Sequence, residues 1–254
     1  MMNDEQIAND LAQCHRLIDY FGMSDTIYAH ASARLSNEEK GFLMTPFGLL
    51  FDEISADDLL NMDSNGRMLR ASSNLPNAAG FVIHSAIYSQ RKDVACVIHS
   101  HSVASVAVSA LADGLLPLSQ PAMEFYGRIS YHDYEGLAVD MKERETLSRD
   151  LGKNHAMILR NHGVIVTGAT VPAAFECLYY LEQACRIQLQ AMACNTSLKM
   201  PPPEICERSA KQYEITGMLP KGTRLWQAMS RMLQRQDAVR QSGGSPVMPK
   251  ATIE

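Results

Sequence analysis

The 254-residue sequence has no excess of basic residues, since 23 lysines and arginines stand against 28 aspartates and glutamates. A protein that binds a nucleic-acid backbone would carry surplus positive charge on one face, so we expect no nucleic-acid partner. The sequence also lacks an apolar run near the ~20 residues that span a bilayer. Its N-terminus, MMNDEQIANDLAQ, lacks the basic start and apolar stretch of a secretory signal. We therefore expect no membrane partner.

The six cysteines are scattered along the chain and form no CxxC pair. This pattern is typical of reduced, buried thiols and predicts a cytoplasmic protein. Also absent are the GxGxxG and GxxxxGKS/T loops that hold nucleotide phosphates, and the GxSxG turn of serine hydrolases. With 46% hydrophobic and 20% charged residues, the chain has a globular composition. Its length indicates one domain or at most two.

The spacing of apolar residues predicts alternating helices and strands. Helices are predicted over residues 4–22, 54–63 (a single turn), 77–90, 102–114, 170–193, 207–216 and 222–240. Strands are predicted over residues 26–35, 41–47, 94–101 and 156–168, the last interrupted by a turn at 161–163. After Met200, three consecutive prolines interrupt regular structure. We therefore predict an α/β domain over residues 1–200, a C-terminal helical arm over 201–240 and a flexible tail over 241–254.

The strongest chemical signal is the run His99-Ser100-His101, which follows the apolar segment VACVI. In a strand, residues i and i+2 point to the same face, so these two imidazoles could bind one metal ion. Two partly exposed histidines on a strand are the plain alternative. His162, in the glycine turn after a second apolar run, could supply a third ligand. Three histidines with an exchangeable fourth position are typical of catalytic zinc, which polarises a carbonyl or acidifies a bound water.

Together, the segments HSAIYSQRKDVACVIHSH and ILRNHGVIVTG resemble the class II aldolase/adducin family over roughly residues 5–195. The resemblance implies a three-layer α/β/α fold with a central mixed, largely antiparallel sheet. It implies that His99, His101 and His162 bind a divalent metal, usually zinc. It further implies a lyase that cleaves a carbon–carbon bond of a small carbonyl or hydroxy-acid substrate. A homo-oligomer, commonly a tetramer, with sites near subunit contacts is also implied.

The sequence departs from the sugar-phosphate aldolases of that family in three places. Gly80 stands where they carry a catalytic glutamate, and a glycine cannot accept a proton. Ala29-His30 replaces the Gly-Asn pair that holds phosphate in those enzymes. Pro121 falls near the position of their tyrosine acid. The altered phosphate loop argues against a phosphorylated sugar as the substrate.

Other segments, IYAHASARL, FLMTPFGLLFDEIS and HDYEG, resemble the adducin head domain and its bacterial relatives. This branch leaves three functions open for the chain. The first is a metal-dependent lyase, the second a non-catalytic adducin-like interaction module with a structural metal, and the third a non-haem iron oxygenase. Three histidines suit zinc, iron or manganese, and we expect zinc to be the bound metal, with iron or manganese as alternatives.

Several residues, Tyr126 among them, are candidates for the acid or base that Gly80 cannot supply. His30 would lie near the metal if its loop folds as in the family, although a hydrogen-bonded structural histidine is the alternative. Glu124 could replace the missing carboxylate. His132, followed by Asp133 and Tyr134, could transfer a proton or orient a ligand imidazole, or could simply belong to a polar turn. We expect His84, on the core face of a predicted helix, to be structural.

Overall fold

The computed structural model describes residues 3–37, 40–136, 143–215 and 221–244. The helices in this part of the chain are α1 (Asp4–Tyr20), α2 (Ala78–Gln90), α3 (Val103–Ser109), α4 (Gln120–Glu124), α5 (Glu143–Leu151), α6 (Val171–Ala193), α7 (Pro203–Ile215) and α8 (Thr223–Gln241). The strands are β1 (His30–Arg34), β2 (Phe42–Met44), β3 (Pro46–Phe47), β4 (Leu60–Met62), β5 (Leu75–Pro76), β6 (Cys96–Ser100), β7 (Ile129–His132), β8 (Ala156–Leu159) and β9 (Gly163–Gly168).

Seven of these strands form one sheet in the order β4-β2-β1-β6-β9-β8-β7. Neighbouring strands pair antiparallel except β7 and β8, which are parallel. Strands β3 and β5 form a separate two-stranded ribbon. The sheet is therefore mixed and largely antiparallel, as the family resemblance implied.

The central strands are buried on both faces and serve two cores. On β6, Cys96 and Ile98 join a core with α1, α3 and α6, whereas Val97 faces a second core with α2 and α5. This alternation follows from the two-residue period of a strand. Helices thus cover both faces of the sheet, and the predicted three-layer α/β/α fold is confirmed.

Two helix starts follow directly from local sequence. The Asn77 side chain accepts hydrogen bonds from the backbone N–H groups of Ala79 and Gly80 at the start of α2. The Thr170 side chain accepts one from Ala173 at the start of α6, where Pro172 lies in the first turn. Both are preferred residues for satisfying the free donors of a helix N-terminus. These predicted starts are confirmed.

Two local predictions were wrong. The predicted helical turn over residues 54–63 ends in strand β4, because Leu60 and Met62 are buried and pair with β2. The prolines after Met200 do not exclude regular structure, because α7 begins at Pro203. Proline is tolerated in the first helical turn, where its missing N–H would have no partner within the helix.

The C-terminal helices pack on the same chain. Trp226 and Leu233 of α8 belong to the core that includes α1 and α6, and Arg16 of α1 forms an ion pair with Asp237 of α8, 2.5 Å apart. Of the predicted tail, Gln241 ends α8 and residues 245–254 lie outside the described residues. None of the described helices is both long enough and apolar enough to cross a bilayer.

Candidate metal centre

Three histidines converge where the end of strand β6 meets the turn before strand β9. His99 lies on β6, His101 directly follows this strand, and His162 lies in the turn before β9. Strands β6 and β9 pair so that Ser100 lies opposite Val164, which brings the turn beside the end of β6. The Nε2 atom of His101 is 2.7 Å from Nε2 of His99 and 2.9 Å from Nε2 of His162. The residues that the sequence singled out thus form one cluster.

The remaining ring nitrogens of two of these histidines are held by oxygen atoms. His99 Nδ1 lies 2.9 Å from the Val164 carbonyl oxygen, to which it donates. His101 Nδ1 lies 2.9 Å from Oδ2 of Asp25. A carbonyl or carboxylate acceptor keeps the proton on Nδ1 and leaves Nε2 as the metal-binding atom. The donor set therefore fits a divalent ion such as zinc, iron or manganese.

The turn that carries His162 has a specific backbone requirement. Asn161 has a φ of 57°, in the left-handed region that asparagine tolerates better than most residues. A Cβ atom at Gly163 would collide with the carbonyl oxygen of Ser100 on the neighbouring strand. The close approach of the two strands therefore requires glycine here, which explains the Asn-His-Gly sequence.

Burial keeps two of the three histidines, His99 and His162, neutral at neutral pH. Burial lowers the pKa of His162 to about 4, with further contributions from His101 and His132. Burial, together with the neighbouring imidazoles, also holds the pKa of His99 well below its usual value. A neutral imidazole can donate a lone pair to a metal ion, so these two histidines can act as metal ligands at pH 7.

Helix α6 anchors the segment that follows the His99-Ser100-His101 motif. The hydroxyl of Ser102 donates to the buried carboxylate of Glu182. The same carboxylate pairs with Arg186, 2.6 Å away, and Arg186 donates to the Phe21 carbonyl oxygen at 3.2 Å. The Glu182–Arg186 pair therefore connects the motif to the loop after α1, which carries Asp25.

This anchor leads to a stability prediction. Glu182→Gln can keep the hydrogen bond from Ser102 but removes the negative charge that faces Arg186. We expect the free energy of unfolding in urea to fall by about 2 kcal/mol, because a hydrogen bond to a charged group in a buried setting is lost. Asp93→Asn is the matched control, since Asp93 is exposed although its partner Arg91 is partly buried. An exposed pair contributes at most about 1 kcal/mol, so equal losses in the two variants would contradict the prediction.

His30 is also buried beside the cluster. It pairs with His99 across strands β1 and β6, and the two ring centroids are 4.8 Å apart. Its Nδ1 atom is 2.7 Å from Nε2 of His84. The other nitrogen of His84 contacts the Ser32 hydroxyl at 2.5 Å. His84 is thus a fully hydrogen-bonded core residue, and it holds the His30 ring in place.

His132 lies on the other side of the cluster, at the end of β7. Its Nδ1 atom is 2.7 Å from Oδ2 of Asp150. His132 and His162 line the same small cavity, together with Tyr134 and Arg160. The structure therefore brings His132 close to the three histidines.

The structure does not bring Glu124 to the histidine cluster within one chain. Glu124 is buried at the end of α4 and forms an ion pair with Lys221. It lines a cavity of about 600 Å³ together with Arg128, Ala156 and Cys177. Ala156 is the first residue of β8, whereas the turn with His162 follows its last residue. Glu124 and the cluster thus lie toward opposite ends of this strand, because the helix that precedes β7 ends near the start of β8.

Sequence reasoning missed three carboxylates that support the site: Asp25, Asp150 and Glu182. Each is distant in sequence from the histidine or serine that it contacts, so no local spacing signals the pairing. Asp25 lies in a polar loop, and Glu182 belongs to a helix whose apolar pattern indicates core. Only the packing of α1, α5 and α6 against the sheet reveals their contacts.

Comparison with known proteins finds a matching family and similar sequences. Residues 9–189 match the family model of the class II aldolase and adducin N-terminal domain. A Caulobacter vibrioides protein named "putative aldolase class 2 protein" is 37% identical over 227 residues, which cover 89% of this chain and 88% of that protein. Rat alpha-adducin is 44% identical over 186 residues, which cover 72% of this chain and 25% of the adducin.

A solved structure is also similar to this chain. The crystal structure of an aldolase II superfamily protein from Pseudomonas syringae superposes with a TM-score of 0.88 and 42% sequence identity. The superposition covers 92% of this chain and 94% of that one. The similarity therefore extends beyond the histidine motifs to nearly the whole chain.

Proposed function

The chain belongs to the class II aldolase and adducin family, and we propose that it is a metal-dependent lyase that cleaves a carbon–carbon bond of a small carbonyl or hydroxy-acid substrate. The convergence of the Nε2 atoms of His99, His101 and His162 carries this proposal. A divalent ion bound there would polarise a carbonyl oxygen and stabilise the negative charge that bond cleavage leaves on it.

The surrounding residues would orient the site and handle protons. Val164 and Asp25 fix the ring orientations of His99 and His101, which keeps the donor atoms in place. His132, held by Asp150, is the candidate for proton transfer on the side of His162. The Asp150 carboxylate fixes the orientation of this ring and would stabilise a proton that the ring gains.

The finer assignments form part of the proposal. We propose zinc as the metal, with iron or manganese as alternatives for an all-histidine site. We propose a cytoplasmic location, which the six free cysteines support.

We also propose a homotetramer, which the resemblance implies. The exposed apolar side chains of Phe47 and Leu75, which pair across the ribbon of β3 and β5, support an interface between protein chains.

Metal analysis combined with an aldol-cleavage assay tests the proposal. We expect about one divalent ion per chain, on the basis of one three-histidine cluster. We also expect aldehyde release from a panel of small hydroxy-carbonyl compounds and hydroxy acids, which a chelator abolishes and zinc restores. His155→Gln is the control, since this exposed histidine lies outside the cluster. A folded chain that holds no metal even after reconstitution would remove the basis of the proposal.

The similarity to alpha-adducin supports a second candidate, a non-catalytic interaction module with a structural metal. The matched region is only a quarter of the adducin chain. In such a module, protein atoms would fill every coordination position and exclude small ligands. A metal-loaded chain that binds no small chelating ligand and releases no aldehyde would favour this candidate over the lyase.

A further inference from the structure

The ring of His30 occupies the space beside Gly80 on α2. A Cβ atom added to Gly80 would lie 2.9 Å from Cδ2 of His30 and 2.7 Å from Cε of Met44. The methionine tip can move, whereas the His30 ring is held by His84 at 2.7 Å. Glycine is a poorer helix former than alanine. The lack of space for a Cβ atom beside the His30 ring explains why a glycine stands in the first turn of α2.

The position of His30 relative to the cluster is set by the sheet. His30 and His99 are direct partners in the antiparallel pairing of β1 and β6, and their rings are in contact. The His84 ring and the Ser32 hydroxyl behind it are fully buried. His30 is therefore a rigid fourth imidazole beside the three that converge.

We propose that His30 is a ligand-contacting residue, which hydrogen-bonds the small molecule or water held at the His99–His101–His162 cluster, and that Gly80 is needed to admit it. This inference rests on the proposed metal site. Since His84 occupies Nδ1 of His30, Nε2 is the nitrogen that meets the ligand.

The chain of hydrogen bonds behind His30 allows its Nε2 atom to act either as a donor or as an acceptor. Ser32 contacts both His84 and the hydroxyl of Tyr88, the latter at 2.8 Å. Hydroxyl hydrogens can rotate to suit their partners. If His84 donates to Ser32, it accepts from His30, and Nε2 of His30 is left as an acceptor. If Ser32 donates instead, the order reverses and Nε2 carries the proton.

A neutral His30 can therefore face an oxygen that carries a proton or one that does not. Both arrangements leave every group in the buried chain uncharged and hydrogen-bonded, which burial requires. This adaptability suits small oxygen ligands such as hydroxyl, carbonyl and carboxylate groups. It narrows the substrate class to compounds that present such an oxygen next to the one held by the cluster.

Acetohydroxamate, a small chelating ligand, tests the inference on the cobalt-loaded chain, whose visible absorption reports both metal and ligand binding. We expect His30→Ala to keep its affinity for Co²⁺ but to bind acetohydroxamate about tenfold more weakly, the effect of one lost hydrogen bond. Gly80→Ala should weaken acetohydroxamate binding to a similar degree, because the new methyl group displaces the His30 ring. The double variant should be no weaker than His30→Ala alone. Ala79→Gly, on the same helix turn, is the control and should bind acetohydroxamate as the wild-type chain does.

The outcomes separate this inference from the proposed function. A wild-type chain that binds no Co²⁺ contradicts the metal site itself and the inference with it. If the cobalt-loaded chain binds acetohydroxamate equally well with and without His30, the inference fails while the metal site stands. If the cobalt-loaded wild-type chain binds no acetohydroxamate, the site is closed, which contradicts both the contact by His30 and the lyase.

Discussion

His162→Ala is expected to weaken zinc binding by about 100-fold or more. Removing one of three converging imidazoles leaves two ligands, and the loss should exceed the 10–100-fold typical of changes to residues that only orient a ligand. Competition with a chromophoric zinc chelator measures the dissociation constant. His162 lies in a surface turn whose backbone is set by Asn161 and Gly163, so the variant should keep its fold and its circular dichroism spectrum.

Asp25→Asn provides a graded comparison. Asparagine can still contact His101 but no longer supplies the charge that favours a proton on Nδ1. We expect a loss of about 10-fold in zinc affinity, at the lower end of the effects of orienting residues. His155→Gln should bind zinc as the wild-type chain does. The assignment of the site fails if the His162→Ala variant, correctly folded, binds zinc as tightly as the wild-type chain.

The metal-free chain is expected to lose stability as the pH falls from 6.5 to 4. His15 is fully buried between the Leu11 carbonyl oxygen and the Thr45 hydroxyl. Burial lowers its pKa from 6.5 to about 4. The unfolded chain therefore takes up a proton near pH 6.5, whereas the folded chain resists until about pH 4. This difference corresponds to about 3 kcal/mol of lost stability, complete once the pH is below the folded value.

Two ion-paired carboxylates act in a different pH range. The pKa of Asp4 is lowered to about 2, chiefly by its hydrogen bond with Lys40, and that of Asp93 to about 2, chiefly by its hydrogen bond with Arg91. Their contributions are present above the ordinary value of 3.8 and are lost only as the pH falls toward 2. The loss between pH 6.5 and 4 therefore reports buried histidines, which include His162, whose pKa burial also lowers to about 4. His84, with a pKa lowered by burial to about 3, should extend it to slightly lower pH.

Urea unfolding of the chelator-treated chain at a series of pH values measures this effect, and His15→Gln is the informative variant. Glutamine can contact Thr45 but does not titrate. The loss of unfolding free energy between pH 6.5 and pH 4 should therefore be about 3 kcal/mol smaller in this variant than in the wild-type chain. The slopes of unfolding free energy against pH are compared, and not the free energies themselves, because the substitution also changes packing at every pH. A wild-type slope in His15→Gln would mean that His15 is not the group responsible.

Local sequence determined the parts of the site that depend on a few neighbouring residues. The apolar run before His99 predicts a buried strand, and a strand places the side chains of residues i and i+2 on one face. Asn161 and Gly163 mark the turn that presents His162, because asparagine tolerates the left-handed region and glycine permits the close approach to Ser100. Helix starts at Asn77 and Thr170 were equally readable, because capping acts within three residues.

Only the tertiary structure decided which distant residues lie at that site and which lie away from it. The pairing of β1 with β6 places His30 against His99, and Gly80 of α2 leaves room for the ring. Packing of α6 brings Glu182 to the histidine motif, whereas Glu124 pairs with Lys221 toward the other end of β8. Such contacts join residues tens of positions apart and depend on strand order and helix packing. Spacing along the chain carries no information about them, because they form only when the layers of the fold close on one another.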